Sequence, residues 1–436
     1  MTNIKNIILT ILLAAFFLGC KKNEKESLAK PENTSVNSDN RNERSFNSYV
    51  IDSSHFYYGA FSSHMLPPGN LQNLGYAMGG APLVVSNNPE QISSQGWLFR
   101  NPNIPNSTSK MPLNGKFNMY LYHQNATSSD IYIHIIVSNP NAAGILLDGK
   151  GVVYTSSNFN GNGGRGFGPS YKVAESWMQG AFTQNFINKN ISPYIPGHTA
   201  VNYYSVAVIK LSPSKTIDGR FEFDSHSSAG TENCFAYVIA STSSNPNTAF
   251  NLAQSNQHAS GNFIQETPTT FGRECGIYDG SVWNGTTILN LPNRKGNVGL
   301  CLNTAQKGSA SYSLLLQNQN ASATGVINNS SSRSYGNYGC FYNFSLKFVN
   351  TESHSRNVTL FLVHTLYSQT SPGFTWHAPI KVGSNPILET YLTFSYNKQQ
   401  IANITIPASS NSLLENINFY VPGLISSNME LVVETN

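Results

Sequence analysis

Charged side chains are scarce in this chain of 436 residues. The 26 Lys and Arg and the 22 Asp and Glu make up 11% of the residues, whereas globular proteins usually carry about a quarter. The net charge of +4 is spread thinly, and no cluster of Lys and Arg is interleaved with aromatic residues. The composition therefore excludes nucleic acid as a partner, because nucleic-acid binding needs a basic patch or stripe.

Several signature sequences are also missing. After residue 20, no apolar run approaches the roughly 20 residues that a transmembrane helix needs. The chain has no Gly-x-Ser-x-Gly nucleophile turn, no His-Glu-x-x-His zinc motif and no Cys-x-x-Cys pair. We therefore expect no metal and no cofactor. Whether the protein is an enzyme stays open, and the small number of acidic residues favours a non-enzyme.

The one long apolar run lies at residues 7–18, between Lys5 and the pair Gly19-Cys20. A positive residue, a short apolar run and a small residue before a cysteine are typical of a bacterial lipoprotein signal. We predict that residues 1–19 are a signal peptide and that Cys20 becomes an acylated N-terminus. The membrane, reached through this lipid, is then one partner, and we expect an exported protein on the outer membrane, either periplasmic or surface-exposed.

Residues 20–45 are predicted to form a disordered tether, because they are polar and offer almost nothing to bury. The 391 residues from Phe46 onward keep only 36 charged side chains. The folded body is therefore polar through Asn, Ser, Thr and Gln rather than through charge.

Apolar residues in the body recur with a period of two, which is typical of β-strands. Residues 117–121 and 131–137 both alternate in this way and flank an Asn/Ser/Thr turn, which predicts a hairpin. Many such segments, separated by Gly, Pro, Asn and Ser, predict an all-β protein. We expect two β-sandwich, jelly-roll-like domains, at residues 46–250 and 251–436.

One helix is predicted, from about Ser170 to Phe186, where apolar residues recur every three to four positions. The body also contains four cysteines, an even number in an exported chain, which fits either disulfides or small buried core residues. Three pairings are open for two bridges. These cysteines are Cys234, Cys275, Cys301 and Cys340.

Glu222, Asp224 and His226 form the sharpest cluster of metal or acid–base residues in the sequence. On a strand they share one face. However, alternate residues of a strand are about 6.6 Å apart, so three in a row converge poorly on one ion. A solvated strand face is the favoured interpretation.

Aromatic residues are plentiful and provide candidate stacking platforms for sugars. The alternative is that they belong to the core, as most aromatic residues in strands do. The candidates are Trp97, Trp283, Trp376 and Tyr203.

A series of short motifs resembles, in the same order, a family of secreted bacterial proteins, largely cyanobacterial, known only as a domain of unknown function. The resemblance extends over roughly residues 64–436 and implies an exported all-β protein with no established activity. It supplies no catalytic residues. The motifs are Leu66-Pro67-Pro68-Gly69-Asn70-Leu71, Ser86-Asn87-Asn88-Pro89-Glu90, Gly96-Trp97-Leu98, Asn114-Gly115-Lys116-Phe117-Asn118, Asp218-Gly219-Arg220, Gly272-Arg273 and Tyr335-Gly336-Asn337-Tyr338-Gly339.

Together these patterns predict a lipid-anchored envelope protein that binds a surface glycan or an envelope partner without catalysis. A face of Asn, Ser, Thr and Tyr can hydrogen-bond and stack with glycans without charge. One alternative is a glycan- or glycopeptide-cleaving hydrolase on a jelly-roll scaffold, with Glu222 or Asp224 as acid or base. Another is a surface assembly component that pairs through an open strand edge.

Overall fold

The computed structural model describes residues 71–72, 74–75, 78–156, 169–194, 202–228, 230, 232–268, 270–304, 319–364, 375–393, 398–409, 413–423 and 429–435. The predicted signal peptide, the tether and Cys20 lie outside these residues.

The described residues form short strands and two helices. The strands up to residue 241 are β1 (Leu71–Gln72), β2 (Met78–Gly79), β3 (Leu83–Ser86), β4 (Gln91–Ile92), β5 (Gly96–Arg100), β6 (Leu113–Asn114), β7 (Lys116–Asn125), β8 (Ile131–Ser138), β9 (Ile145–Ser156), β10 (Gln184–Ile191), β11 (Tyr203–Leu211), β12 (Thr216–His226) and β13 (Asn233–Ser241). The later strands are β14 (Cys275–Tyr278), β15 (Val282–Asn290), β16 (Gly296–Leu302), β17 (Ala323–Val326), β18 (Phe341–Val349), β19 (Arg356–His364), β20 (Thr375–Val382), β21 (Leu388–Thr393), β22 (Lys398–Ile406), β23 (Leu413–Tyr420) and β24 (Met429–Thr435). The helices are α1 (Pro169–Gln179) and α2 (Pro246–Gln254).

The first sandwich consists of two facing sheets. Sheet 1 has the order β10-β9-β12-β7-β3-β14-β17, with β4 beside β7, and sheet 2 has the order β11-β8-β13-β5, with β6 beside β13. Apolar side chains from both sheets meet in one core, including Phe117 and Phe221 from sheet 1 and Ile133 and Val238 from sheet 2. All four are fully buried.

The second sandwich repeats this plan with different strands. Sheet 3 has the order β1-β16-β24-β19-β22, and sheet 4 has the order β2-β15-β18-β23-β20-β21. Its core joins Leu300 and Leu360 of sheet 3 to Phe344 and Phe419 of sheet 4. The predicted all-β, sandwich-like fold is confirmed.

The sheets draw strands from both sides of the boundary predicted after residue 250. Strands β1 and β2 pair with β16 and β15, whereas β14 and β17 extend sheet 1. The described residues all belong to one compact unit that spans residues 48–436. The chain order of the strands therefore does not separate the two sandwiches.

Strand β7 is buried on both faces, which explains its aromatic alternation. Phe117, Met119 and Leu121 face the core of the first sandwich. Tyr120 and Tyr122 face the other way, into a second apolar cluster with residues of the later half of the chain. Sheet 1 is thus the central layer that separates the first core from the interior shared with the second sandwich.

The structure corrects the helix prediction in two ways. Helix α1 ends at Gln179, because Gly180 takes a left-handed conformation and its N–H and that of Ala181 bond back to Trp177 and Ser176. Phe186, expected in this helix, lies instead in β10 and packs in the first core. The second helix, α2, was not predicted. Neither helix of the described residues is long and apolar enough to cross a membrane.

The predicted hairpin of residues 117–137 is also wrong. Strand β7 pairs with β12, β3 and β4 in sheet 1, whereas β8 pairs with β11 and β13 in sheet 2. The two strands face each other across the core because their alternating apolar residues fit opposite layers of a sandwich as well as one hairpin.

Candidate functional site

Glu222, Asp224 and His226 lie on one exposed face of β12. Glu222 pairs with Lys150 across the neighbouring strand at 3.2 Å, and the Nε2 atom of His226 lies 3.6 Å from oxygens of both Asp224 and Asp148. Their side chains are between 26% and 47% exposed. The described residues hold no group of three or more His, Cys, Asp and Glu arranged for a metal ion. The arrangement is that of a solvated ion-pair face.

Two of the four predicted aromatic residues are core residues. Trp376 is fully buried, and its indole N–H donates a 2.8 Å hydrogen bond to the hydroxyl of Thr390. Trp283 is 3% exposed, with its ring centroid 6.1 Å from that of Tyr342. Both side chains fall on the inward face of their strands, so neither presents a ring to a ligand.

Tyr203 lies on the outer face of sheet 2, where it fixes α2. Its ring stacks on Phe250 with centroids 4.4 Å apart, and its hydroxyl donates to the side chain of Asn247. Helix α2 covers the remaining apolar residues of that face, including Ile136 and Ile239. Tyr203 therefore serves the packing of a helix and is only partly exposed.

Trp97 lines an open groove of about 690 Å³ at the end of strand β5. The segment that follows the strand folds back on itself, since Asn103 and Lys110 form a bridge and Ile104 N–H donates to the Ser109 carbonyl at 2.8 Å. This turn forms one wall, and residues 326–328 contribute to the other. We call this feature the Trp97 groove.

The Trp97 ring is enclosed by its neighbours in the groove. The guanidinium of Arg100 lies 4.3 Å from the ring centroid, and the imidazole of His258 meets the ring edge-on at 4.1 Å. Asn328, which lines the groove, bonds His258 Nε2 at 2.7 Å. The indole Nε1–H of Trp97 is buried and has no hydrogen-bond partner among the described residues.

The Trp97 groove is positively charged. Arg100 and Lys110 both line it, and the lining residues include no Asp or Glu. Burial lowers the pKa of both side chains, and the charge of Arg100 lowers the pKa of Lys110 further. Burial also lowers the pKa of His258 to about 4, so this ring is neutral near pH 7. The sequence did not reveal this pair, since Arg100 ends a strand and Lys110 lies in the following turn.

A buried acid, Asp218, lies on the opposite face of sheet 1 from the core. Its Oδ2 atom accepts hydrogen bonds from the Tyr120 hydroxyl at 3.0 Å and from the Ser170 hydroxyl at 2.5 Å. Gly423 closes over these groups, so closely that a side chain there would collide with the Tyr120 hydroxyl. Burial raises the pKa of Asp218 to about 7, although the two hydrogen bonds oppose this.

Residues of the family-like motifs hold the interior beside sheet 1 together. Arg220 Nε donates to the Gly339 carbonyl at 3.0 Å, and Glu274 accepts from Gly336 N–H at 2.8 Å. Burial raises the pKa of Glu274 to about 7. None of these four residues lines the Trp97 groove, so they serve the architecture, whereas Trp97 of the Gly96-Trp97-Leu98 motif does line it.

A buried histidine, His123, contacts two residues of the Ser86–Glu90 motif. The Nε2 atom of His123 forms a 2.8 Å hydrogen bond with the Ser86 hydroxyl, and its Nδ1 atom lies 2.8 Å from the Pro89 carbonyl. Burial lowers its pKa to about 4, so the ring is neutral and Nδ1 must be the donor to the carbonyl. His123 is thus a structural histidine.

The four cysteines of the body are buried thiols. Burial raises the pKa of Cys234 and Cys275 to about 12 and also raises that of Cys340. Cys301 is 1% exposed and packs with Val363 and Val432. The structure therefore agrees with small buried core residues rather than with disulfides for these four cysteines.

Comparisons with solved structures give only distant likenesses. They include the CUB1-EGF-CUB2 domain of human MASP-1/3, 8% identical over 79% of this chain and 100% of that chain, with a TM-score of 0.15. The M60 catalytic domain with CBM51-1 and CBM51-2 of Clostridium perfringens ZmpB is 7% identical over 74% and 34%, with a TM-score of 0.16. The CBM22-1-CBM22-2 tandem of Paenibacillus barcinonensis Xyn10C is 9% identical over 79% and 98%, with a TM-score of 0.13. These scores carry no argument about function.

No curated protein matches the chain. Residues 246–381 match a family model described as protein of unknown function (DUF3370). This segment begins at α2 and ends within β20, so it includes Glu274 and the Gly336–Gly339 region. The predicted resemblance to a domain of unknown function is confirmed for these residues, which are similar to the DUF3370 family.

Proposed function

We propose that the protein is a lipid-anchored envelope protein that binds a surface glycan in the Trp97 groove without cleaving it. The observation that carries this proposal is the groove itself, an open depression of about 690 Å³ lined by Trp97, by apolar residues such as Ile104 and by polar residues such as Asn103. Ligand sites are typically concave, with apolar surface and a few placed polar groups. An open groove can accept a polymer, which must enter and leave at two ends.

The distribution of acidic residues favours binding over hydrolysis. A glycosidase needs two carboxyl groups on either side of the bond that it cleaves. The residues that line the groove include no carboxylate. Glu222 and Asp224, the sequence candidates for acid and base, lie on an exposed face, where they pair with cations. Asp218 and Glu274 have raised pKa values but are buried within the protein interior.

The attachment to a membrane rests on the sequence. Residues 7–18 and Cys20 have the pattern of a lipoprotein signal, and two or more acyl chains give stable anchoring. The polar segment 20–45 would hold the folded body away from the membrane surface. This position suits a protein that reaches an envelope polymer.

The test is a glycan array probed with the protein and with a variant whose groove is filled. Thr108 is exposed and lines the groove, so Thr108→Trp places a large ring there without disturbing the core. Thr405→Trp, at an exposed position on β22, is the matched control. We expect glycan binding by the wild type and the control, and at least about a tenfold loss with Thr108→Trp.

Three outcomes would contradict the proposal. If no glycan binds, the function is wrong. If both variants bind as well as the wild type, the groove is not the site. If bound glycans are shortened during incubation, the hydrolase alternative becomes the better description.

A further inference from the structure

We infer that the ligand of the Trp97 groove is an anionic glycan, whose carboxylate or sulfate groups bind between Arg100 and Lys110. This inference rests on the proposed glycan-binding function and specifies the class of glycan. It follows from the arrangement of charges in the groove, from the remaining donors of Arg100 and from an exposed apolar side chain beside them.

Several cations elsewhere in the protein form ion pairs with acidic side chains. Lys150 pairs with Glu222, Lys210 with Asp130, and Arg273 with Glu90 at 2.6 Å. Not every cation of the described residues forms an ion pair with an acid, and Arg220, for example, donates to backbone carbonyls instead.

Arg100 and Lys110 differ from the cations of these three ion pairs because they share one groove. Both are partly buried in the same groove, and within the described ranges neither forms an ion pair with an acidic side chain. The charge of Arg100 lowers the pKa of Lys110, because like charges repel more strongly where water is partly excluded. An anion bound between them would relieve this repulsion.

The guanidinium of Arg100 is held in place by two neighbours in the protein. Its Nη1 atom donates a 2.9 Å hydrogen bond to the Ser255 carbonyl, and the Trp97 ring supports one face of its guanidinium. The guanidinium has five N–H donors, and among the described residues the Ser255 carbonyl is the acceptor for one of them. The fork is therefore held in place with donors left for a carboxylate or sulfate, which guanidinium groups bind in a bidentate manner.

One feature of the groove suits a sugar rather than a free ion. Ile104, in the lining, is 40% exposed and offers an apolar surface to a sugar ring. The groove thus combines two cations with an apolar contact.

The experiment compares charged and neutral polysaccharides as ligands of the full protein. Polygalacturonate provides carboxylates, dextran sulfate provides sulfates, and dextran is the neutral reference. We expect the wild type to bind at least one charged polymer and to bind dextran at least about tenfold more weakly, with added NaCl weakening only the charged ligands.

Two pairs of variants locate the effect. Lys110→Gln should weaken binding of the charged polymer about tenfold, as expected for one lost charge-assisted contact, whereas Lys215→Gln, at an exposed turn, should leave it unchanged. Ile104→Glu adds a negative charge to the groove and should weaken binding further, whereas Ile104→Gln tests the loss of the apolar contact alone. Both Ile104 variants alter an exposed side chain, so folding should persist.

The outcomes separate this inference from the proposed function. Equal binding of dextran and charged polymers that is lost in Thr108→Trp would refute the anionic ligand while keeping glycan binding. Equal weakening by Lys110→Gln and Lys215→Gln would also refute it, because the attraction would then be unspecific. Failure of every polysaccharide to bind would overturn both.

Discussion

Replacing Asp218 by Asn should make the protein less sensitive to rising pH. The wild-type carboxyl is completely buried and accepts hydrogen bonds from Tyr120 and Ser170 through one oxygen, while its Oδ1 atom has no partner among the described residues. The amide has nearly the same shape, can accept the same two hydrogen bonds and never ionises. The variant therefore removes the ionisation and preserves the packing.

The expected magnitude follows from the pKa of Asp218. Burial raises it from 3.8 to about 7, a difference that corresponds to about 4 kcal/mol between the two protonation states. Between these pKa values the unfolded chain has released the proton and the folded protein keeps it, so rising pH favours unfolding. The stability that the protonated group preserves is fully present below the unfolded pKa of 3.8 and is lost as the pH rises through about 7.

Urea unfolding of wild type and Asp218→Asn at about pH 4.5 and about pH 8 measures this effect. The variant should gain stability relative to the wild type between the two pH values, by about 3 kcal/mol. Asp279→Asn, at an exposed position after β14, is the control for the substitution itself. A difference between Asp218→Asn and wild type that stays constant with pH would show that this carboxyl does not ionise near neutrality.

Three further predictions concern the core, the anchor and the acidic cluster. Ile133→Asp should unfold the first sandwich, because an unpaired carboxylate in this fully buried position costs several kcal/mol against a total of about 5–15; a normal melting curve would contradict it. Cys20→Ser should release the protein from the membrane fraction, and unchanged detergent partitioning would contradict the lipid anchor. A chelator should leave the melting temperature unchanged, whereas a drop that Asp224→Ala abolishes would indicate a metal site near β12, since a metal at a hundredfold its Kd adds about 2.7 kcal/mol.

The sequence predicted the class of fold better than the pairing of its strands. Alternation places Phe117, Met119 and Leu121 on one face of β7, as observed, but it does not identify the neighbouring strand. Strands β7 and β8 have the same period and are close in sequence, which suggests a hairpin. The actual partners of β7 include β12, about a hundred residues later, and only tertiary packing selects them.

Local signals were present for both helix corrections. Gly180 directly follows α1, and a glycine at this position commonly ends a helix. Asn245 and Pro246 form a typical helix start, in which the Asn side chain accepts from Asn247 N–H at 3.0 Å. Gly180 lies within the apolar periodicity that predicted the longer helix, whereas Asn245 and Pro246 lie in a polar segment without such periodicity.

The site was harder to predict than the fold. Trp97 was a candidate for its residue type, as were Trp283 and Trp376. All three side chains are at most 7% exposed, and Trp97 is the one of the three that lines the groove. Arg100 and Lys110 line the same groove because a turn brings them together. The low content of charged residues suggested that charge was unimportant in this body. The two basic residues that meet in the groove were therefore easy to overlook.

The pairing of β1 and β2 with strands of the later half constrains how the protein can be made. Leu71 lies beside Gly299, so the partner of β1 emerges from the ribosome more than two hundred residues after it. At about 5–20 residues per second, the early strand waits on the order of 10–50 s before its sheet can form. For an exported chain, as proposed above, this delay is useful, because a protein whose sheets close late stays unfolded long enough to be translocated.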